Sequence, residues 1–176
     1  RDHDQLRAAV RQGRAALVAA ARRIVATILG CGSSGGVPRI GGRWGLCDPD
    51  NPKNRRRRCS LLLEGYSEPG TEPTRILVDT GCDVREQLLE ANVDRVEAVL
   101  YTHEHADHTH GIDDLRGFFF NARRRLDIYA DARTQASLMQ RFDYCFVQPA
   151  GSSYPAILNA RDISPPAPIR VDGPGG

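Results

Sequence analysis

The chain has 176 residues, of which 40% are hydrophobic and 26% are charged, as expected of one globular domain rather than a disordered or fibrous protein. Its 24 basic and 22 acidic residues give a formal net charge of +2, which excludes nucleic-acid binding through overall charge alone. The five cysteines are odd in number and form no CxxC pair, which argues against a disulfide framework and favours a reducing cytoplasm. No apolar run in the sequence is long enough to span a bilayer.

The first half of the chain predicts one helix followed by three strands. Apolar positions among Ala and Arg residues predict a surface helix over residues 4–23. A buried strand is predicted at 23–30, and it enters a loop rich in glycine, which is typical of tight turns and close backbone approach. Two further strands are predicted at 59–66 and 74–81.

The second half predicts alternating strands and helices. Asp83 and Glu86 have the spacing of a capping box and predict a helix over 83–92. A strand at 96–102 leads directly into a cluster of histidines. The remaining predicted elements are an amphipathic stretch at 111–122, a strand at 125–132, a helix at 133–146, and an extended segment with little regular structure from Gln148 onward.

This alternation of strands and helices predicts an α/β fold, in which loops at the strand ends carry the functional residues. Residues 23–176 are interpreted as the domain, and residues 1–22 as a leading helix of uncertain origin.

Four of the five histidines lie within eight residues, at positions His103, His105, His108 and His110. In extended backbone His103, His105 and Asp107 point to the same side, and His108 is reached as the chain turns into a helix. Imidazoles combined with a carboxylate form a ligand set that suits Zn²⁺, iron or manganese. The HExxH pattern of helical metalloproteases does not fit, because Asp107 occupies the position of the second histidine.

Several motifs carry a family resemblance. The sequence THEHADH at 102–108 matches the HxHxDH signature of metallo-β-lactamase-fold hydrolases, and LVDTG at 77–81 resembles their strand-end aspartate motif. GCGSSGGVPRIG, NPKNRRRRCS and HGIDDLR resemble the branch related to the cyclic phosphodiesterase of phosphonate breakdown. The resemblance covers roughly residues 24–175 and implies the N-terminal half of an αββα sandwich, with a mixed β-sheet and flanking helices.

The resemblance also implies a role for each residue of the motifs. His103 and His105 would bind one metal ion, and Asp107 and His108 a second, with a shared hydroxide and with Asp107 as the catalytic carboxylate. The expected cofactor is Zn²⁺, two ions in the complete enzyme, with Mn²⁺ or Fe²⁺ as alternatives. Asp79 would orient a ligand histidine; alternatively it is a capping or turn residue after its strand.

The neighbouring polar residues leave more than one interpretation open. His110 could be a hydrogen-bond donor behind the ligands, a substrate contact or a solvent-facing residue, and Glu104 is expected to face solvent or a local ion pair. A basic run follows Lys53, and it could bind substrate phosphate or be a solubilising flank of the next strand. The run consists of Arg55, Arg56, Arg57 and Arg58.

The predicted function is metal-dependent hydrolysis of a small or cyclic phosphodiester through a metal-activated hydroxide. The alternatives are an RNA-processing nuclease of the same fold and an inactive metal-binding fragment. No membrane partner is expected, nucleic acid is disfavoured, and a homo-oligomer stays open. Residues 111–176 contain no histidine, whereas the resemblance implies further ligands from a second half. We therefore expect the chain to be incomplete, weakly active or inactive, and to leave one apolar sheet face uncovered.

Overall fold

The computed structural model describes residues 20–163 and 165–176, and this part of the chain forms a six-stranded mixed β-sheet flanked by helices. The strands lie side by side in chain order. The pairs β1–β2 and β2–β3 are antiparallel, and β3 to β6 run parallel to one another. The strands are β1 Arg23–Gly30, β2 Ser60–Tyr66, β3 Thr74–Val78, β4 Ala98–Leu100, β5 Leu126–Ala130 and β6 Leu158–Asp162.

The helices connect the parallel strands and add short turns around them. The α-helices are α1 Val84–Glu90, α2 Ala106–Thr109, α3 Arg116–Ala122, α4 Ala132–Arg141 and α5 Asp143–Phe146, and 3-10 helices span Pro52–Asn54 and Ile112–Leu115. None of these helices in the described part of the chain has the length and apolar character needed to span a bilayer.

The core lies between one face of the sheet and the helices. Leu62, Leu77, Val99 and Ile128 occupy paired positions on four neighbouring strands and are nearly inaccessible to solvent. The helical side contributes Val84, Leu88, Ile112, Leu115, Phe118 and Leu138 to the same cluster. Because successive residues of a strand face opposite sides, the strands also carry apolar side chains on the other face.

That other face of the sheet is partly exposed. Ile24 and Ile28 of β1 are each 70% exposed. Leu61, Leu63, Ile76 and Val78 on the same face are only half-buried. An apolar surface of this kind is typical of a face on which another element packs.

The strand directions place three loops at one edge of the sheet. β3 and β4 are parallel, so the residues that follow them leave from the same edge. β1 also ends there, because it is antiparallel to β2, which is antiparallel to β3. The glycine-rich loop 31–59, the turn 79–83 and the histidine loop 101–111 are therefore neighbours.

The predicted strands at 23–30, 59–66, 74–81, 96–102 and 125–132 are confirmed, with small differences at their ends. The predicted α/β class is also confirmed. The leading helix predicted over residues 4–23 lies mostly outside the described residues. Its last four residues are not helical, since Arg23 already pairs with Tyr66 in the sheet.

The helix at 83–92 is confirmed as α1, but the predicted capping box is wrong. Asp83 makes no capping hydrogen bond. Its carboxylate instead accepts hydrogen bonds from Arg58, from the backbone N–H at 2.9 Å, from Nε at 2.8 Å and from a terminal guanidinium nitrogen at 2.6 Å. Hydrogen bonding to the Arg58 guanidinium holds the pKa of the Asp83 carboxyl below its ordinary value. Asp83 thereby fastens the loop 31–59 to α1.

Two further predictions need correction. The helix predicted over 133–146 is divided at Phe142, whose backbone angles of φ −135° and ψ 39° are not helical. The segment after Gln148 was predicted to be extended with little regular structure, but it contains the strand β6, which pairs in parallel with β5. The sequence LNARD has no strong alternation, and the strand forms because β5 offers it an open edge.

Candidate metal centre

The four predicted ligands come together beyond the end of β4. The ring centroid of His103 lies 4.7 Å from that of His105 and 4.1 Å from that of His108. Nε2 of His108 lies 3.4 Å from a carboxylate oxygen of Asp107. The side chains are thus gathered, although in residues 20–163 and 165–176 no group of three or more His, Cys, Asp or Glu is spaced to hold a metal ion.

The local backbone explains this gathering. His105 is extended, with φ −65° and ψ 151°, and α2 begins at the next residue. The backbone carbonyl of His105 accepts hydrogen bonds from the N–H of His108 at 3.0 Å and from the hydroxyl of Thr109 at 2.9 Å. The chain therefore turns sharply after the second histidine, and this turn brings His108 back toward His103.

Asp79 lies behind the cluster and is only 4% exposed. One carboxylate oxygen accepts the backbone N–H of Thr102 at 2.8 Å. The other accepts the Thr102 hydroxyl and Nδ1–H of His108, both at 2.7 Å. Asp79 has a positive φ of 60°, a conformation that aspartate tolerates better than most residues. The expected contact of Asp79 with a ligand histidine is therefore present, and its role in metal binding stays a prediction.

These hydrogen bonds orient two of the imidazoles. His108 uses Nδ1 to donate to Asp79, so its Nε2 carries the free lone pair. The hydroxyl of Thr102 donates to Asp79 and lies 3.0 Å from Nδ1 of His103, so it accepts from that nitrogen and leaves Nε2 of His103 free as well. The donor types gathered here, three imidazoles and a carboxylate, are those that a borderline divalent metal such as zinc prefers.

The turn after β3 packs closely against the histidine loop. The N–H of Thr80 donates to the carbonyl of His108 at 2.7 Å. The carbonyl of Thr80 accepts from the N–H of Gly111 at 2.7 Å. The Thr80 hydroxyl shares a 2.7 Å hydrogen bond with the buried phenol of Tyr101, whose pKa is raised by burial. A Cβ atom at Gly81 would lie 2.2 Å from the carbonyl oxygen of Asp107. Only glycine fits at this position.

Helix α4 holds the histidine loop from the outside. Arg133 forms an ion pair with Glu104 at 2.6 Å, and the guanidinium of Arg141 donates to the backbone carbonyl of Glu104 at 2.9 Å. The local ion pair expected for Glu104 is thus confirmed. The backbone N–H of Glu104 itself and the nearby arginine keep the pKa of this carboxyl below its ordinary value.

His110 is the C-cap residue of α2 and, with His105, Asp107 and Arg141, lines an open cavity of about 690 Å³. Its ring contacts Phe142 edge-to-face at a centroid distance of 5.7 Å. It does not reach the other three histidine rings through any ring contact found in the described residues. Its role as a donor or substrate contact stays a prediction.

The structure divides the basic run that precedes β2. Arg57 forms an ion pair with Glu90, at the C-terminal end of α1. Arg58 forms an ion pair with Asp83, at the N-terminal end of α1. The two preceding arginines have no carboxylate partner in the part of the chain that the structure describes. Whether any of the four binds phosphate stays a prediction.

Sequence reasoning did not single out Thr102, Thr80, Arg133 or Arg141. The position of Thr102 directly before the histidine motif is a usable signal, since a hydroxyl there can reach the strand-end aspartate. The contacts of Arg133 and Arg141 with Glu104 could not be predicted from the sequence, because they join residues about 30 or more positions apart.

Comparisons with known proteins identify the family of the chain. A family model described as "Beta-lactamase superfamily domain" matches residues 74–175. A protein of Porphyromonas gingivalis named octanoyltransferase is 36% identical over 146 residues, which is 82% of this chain and 28% of that protein.

Two solved structures share the fold. A crystal structure of a "new diphosphatase from the PhnP family" has 31% identity and a TM-score of 0.65, and the match covers 81% of this chain and 52% of that one. The Zn²⁺-bound PqqB of Methylobacterium extorquens has 20% identity and a TM-score of 0.59, with 81% and 46% covered. The chain thus spans about half of these structures and less than a third of the curated relative.

The substitution Asp79→Asn tests the link between this carboxylate and the histidine cluster. Asparagine keeps only one acceptor oxygen for the three donors from Thr102 and His108, so the hydrogen bonding that orients His108 is weakened. Zinc affinity should fall by about 10- to 100-fold, measured by competition with a chromophoric chelator. The exposed Asp94→Asn is the matched control and should bind zinc as the wild type does. Equal affinity of all three proteins would disprove the link.

Replacement of Gly81 by Ala tests the close packing of the turn against the histidine loop. The added methyl group meets the backbone of Asp107, so the free energy of unfolding should fall by about 2 kcal/mol or more. Gly117 lies in α3 with no atom within 4 Å of its Cβ position, so Gly117→Ala should raise stability by roughly 0.5–1 kcal/mol. Urea unfolding of both variants measures the difference, and a neutral Gly81→Ala would contradict the packing.

Proposed function

This chain belongs to the β-lactamase superfamily, and from that membership we propose that it is the metal-binding part of a hydrolase that cleaves phosphodiesters. The observation that carries the proposal is the gathering of three imidazoles and the Asp107 carboxylate beside the buried Asp79. The 31% identity to a diphosphatase supports hydrolysis at a phosphate group rather than hydrolysis of a lactam.

Zinc is the proposed metal, with Mn²⁺ or Fe²⁺ as alternatives, and His103, His105, Asp107 and His108 would hold it. A divalent ion supplies Lewis acidity there and makes water acidic enough to act as a nucleophile near neutral pH. The structure of PqqB is described as Zn²⁺-bound. Its 20% identity to this chain supports a shared fold and not a shared metal.

The residues of this chain orient the reacting groups. Asp79 fixes the imidazole of His108, and Thr102 fixes the imidazole of His103, so that both present Nε2. Arg141 and Arg133 fix the backbone and side chain of Glu104, which separates the first two histidines. The open cavity beside Asp107 admits a substrate from the side of His110. A rigid frame of this kind reduces the reorganisation needed on reaching the transition state.

The name octanoyltransferase suggests acyl transfer as an alternative to phosphodiester hydrolysis. The match covers only 28% of that protein, so the name describes a molecule whose greater part lies outside the match. The arginines before β2 that lack a carboxylate partner among the described residues favour a phosphate ester, since guanidinium groups suit phosphate oxygens.

A substrate comparison tests the proposal. The zinc-loaded protein is incubated with bis(4-nitrophenyl) phosphate, a ribose cyclic phosphate, a chromogenic cephalosporin, an octanoyl thioester and a short RNA. We expect weak activity, with the small phosphodiesters cleaved fastest, and we expect His108→Gln to lose this activity while Arg124→Gln retains it. Faster turnover of the thioester or the lactam would contradict the proposal, and faster cleavage of RNA would favour the nuclease.

A further inference from the structure

Two exposed cysteines lie opposite each other where the glycine-rich loop leaves the sheet. The glycine before Cys31 pairs with Ser60 at the end of the β1–β2 ladder, and the glycine after Cys31 forms an isolated bridge with Arg58. Cys59 lies between Arg58 and Ser60 in the sequence. The two pairings therefore place Cys31 and Cys59 opposite each other on adjoining segments of the chain.

Both thiols leave the backbone on the partly exposed face of the sheet. Ser60 is buried, and a Cβ atom at Gly30, its pairing partner, would clash with the side chain of Gln87 on α1. This pair therefore points to the helical side. Because successive residues of a strand face opposite sides, Cys31 and Cys59 point away from α1. Both cysteines are exposed in the part of the chain that the structure describes.

The backbone holds the two segments close together. The N–H of Gly32 donates to the carbonyl of Arg57 at 2.7 Å. The Sγ atom of Cys59 lies 3.7 Å from the carbonyl oxygen of Gly32, so this sulfur reaches the segment that carries Cys31. Opposite residues of neighbouring strands have Cα atoms roughly 4.5–5.5 Å apart, which is within the range of about 4.4–6.8 Å found in disulfides. The two cysteines can therefore be joined without a large movement of the backbone.

We propose that Cys31 and Cys59 are a redox-responsive thiol pair, which a low-molecular-weight disulfide such as oxidised glutathione converts into a disulfide that fastens the glycine-rich loop to the sheet. The proposal does not depend on the proposed hydrolysis. An exposed disulfide is readily reduced again, so this pair differs from the permanent disulfide framework that the odd number of cysteines argues against.

The reaction is a two-step thiol–disulfide exchange. The thiolate of one cysteine attacks a sulfur atom of oxidised glutathione, forms a mixed disulfide and releases one reduced glutathione. The thiolate of the second cysteine then attacks the protein sulfur of this mixed disulfide, and the second glutathione leaves. The protein gives up two electrons and two thiol protons, and the two glutathione molecules carry them away as thiols.

The bond would close the segment between Cys31 and Cys59, which contains the glycine-rich turn and the basic run. This segment adjoins the histidine loop, because a Cβ atom at Gly81 would touch both Arg58 and the backbone of Asp107. Closing a segment of this length stabilises a protein mainly by restricting the unfolded chain. We expect oxidation to raise the midpoint of thermal unfolding by roughly 5–10 °C.

Thiol counting and peptide mapping test the pair directly. The chelator-treated, fully reduced chain is incubated with excess oxidised glutathione, its free thiols are counted after denaturation, and a non-reduced tryptic digest is analysed by mass spectrometry. We expect two of the five thiols to be lost. We also expect the peptide 24–39, which contains Cys31, to be linked to the peptide 59–75, which contains Cys59.

Serine variants separate this pair from the other cysteines. Cys31→Ser and Cys59→Ser should each form no internal disulfide, and the remaining cysteine of the pair should keep a bound glutathione. The matched control is Cys82→Ser, which removes another exposed thiol, in the turn before α1, and should form the disulfide as the wild type does. Thermal unfolding of the reduced variants confirms that each one is folded.

Three results would overturn the proposal. The first is a digest without the linked peptide, and the second is a disulfide that joins Cys31 or Cys59 to a different cysteine or to a second chain, which a non-reducing gel detects. The third is a linked peptide without any rise in the unfolding midpoint, because the bond would then not hold the loop.

Discussion

The candidate site depends on the buried carboxylate of Asp79. A carboxylate that is almost fully removed from water is stable only when its oxygens are hydrogen-bonded. Asp79 meets this requirement through Thr102 and His108, and these three bonds join the end of β3 to both ends of the histidine loop. The hydrogen bonds of this one buried carboxylate therefore hold the histidine loop against the end of β3 and determine that Nδ1 of His108 carries the proton.

The sheet topology places this local arrangement beside two other loops. Because β1, β3 and β4 all end at one edge, the glycine-rich loop, the Asp79 turn and the histidine loop meet there without long connections. The helices cover one face of the sheet, and the other face exposes Ile24 and Ile28. In an αββα sandwich this face packs against a second sheet, and the chain spans 52% of the diphosphatase that shares its fold.

The sequence predicted the elements that have strong local signals and the order in which they occur. The strand 96–102 and the histidine motif after it were predictable, because the run of apolar residues ends where the polar motif begins. The capping box failed because Asp83 has a stronger partner in Arg58, 25 positions away. β6 was missed because its pairing with β5, not its own composition, makes it a strand. The division of the basic run into paired and unpaired arginines was unpredictable for the same reason, since the partners Glu90 and Asp83 come from another element.

Long-range ¹H–¹⁵N NMR of the histidine side chains tests the central claim most directly, because it shows which ring nitrogen carries the proton. In the metal-free protein His108 should be the tautomer protonated at Nδ1, held by Asp79, and added zinc should shift the Nε2 resonances of His103 and His108 together. A His108 ring protonated at Nε2, or zinc that leaves both Nε2 resonances unchanged, would contradict the account.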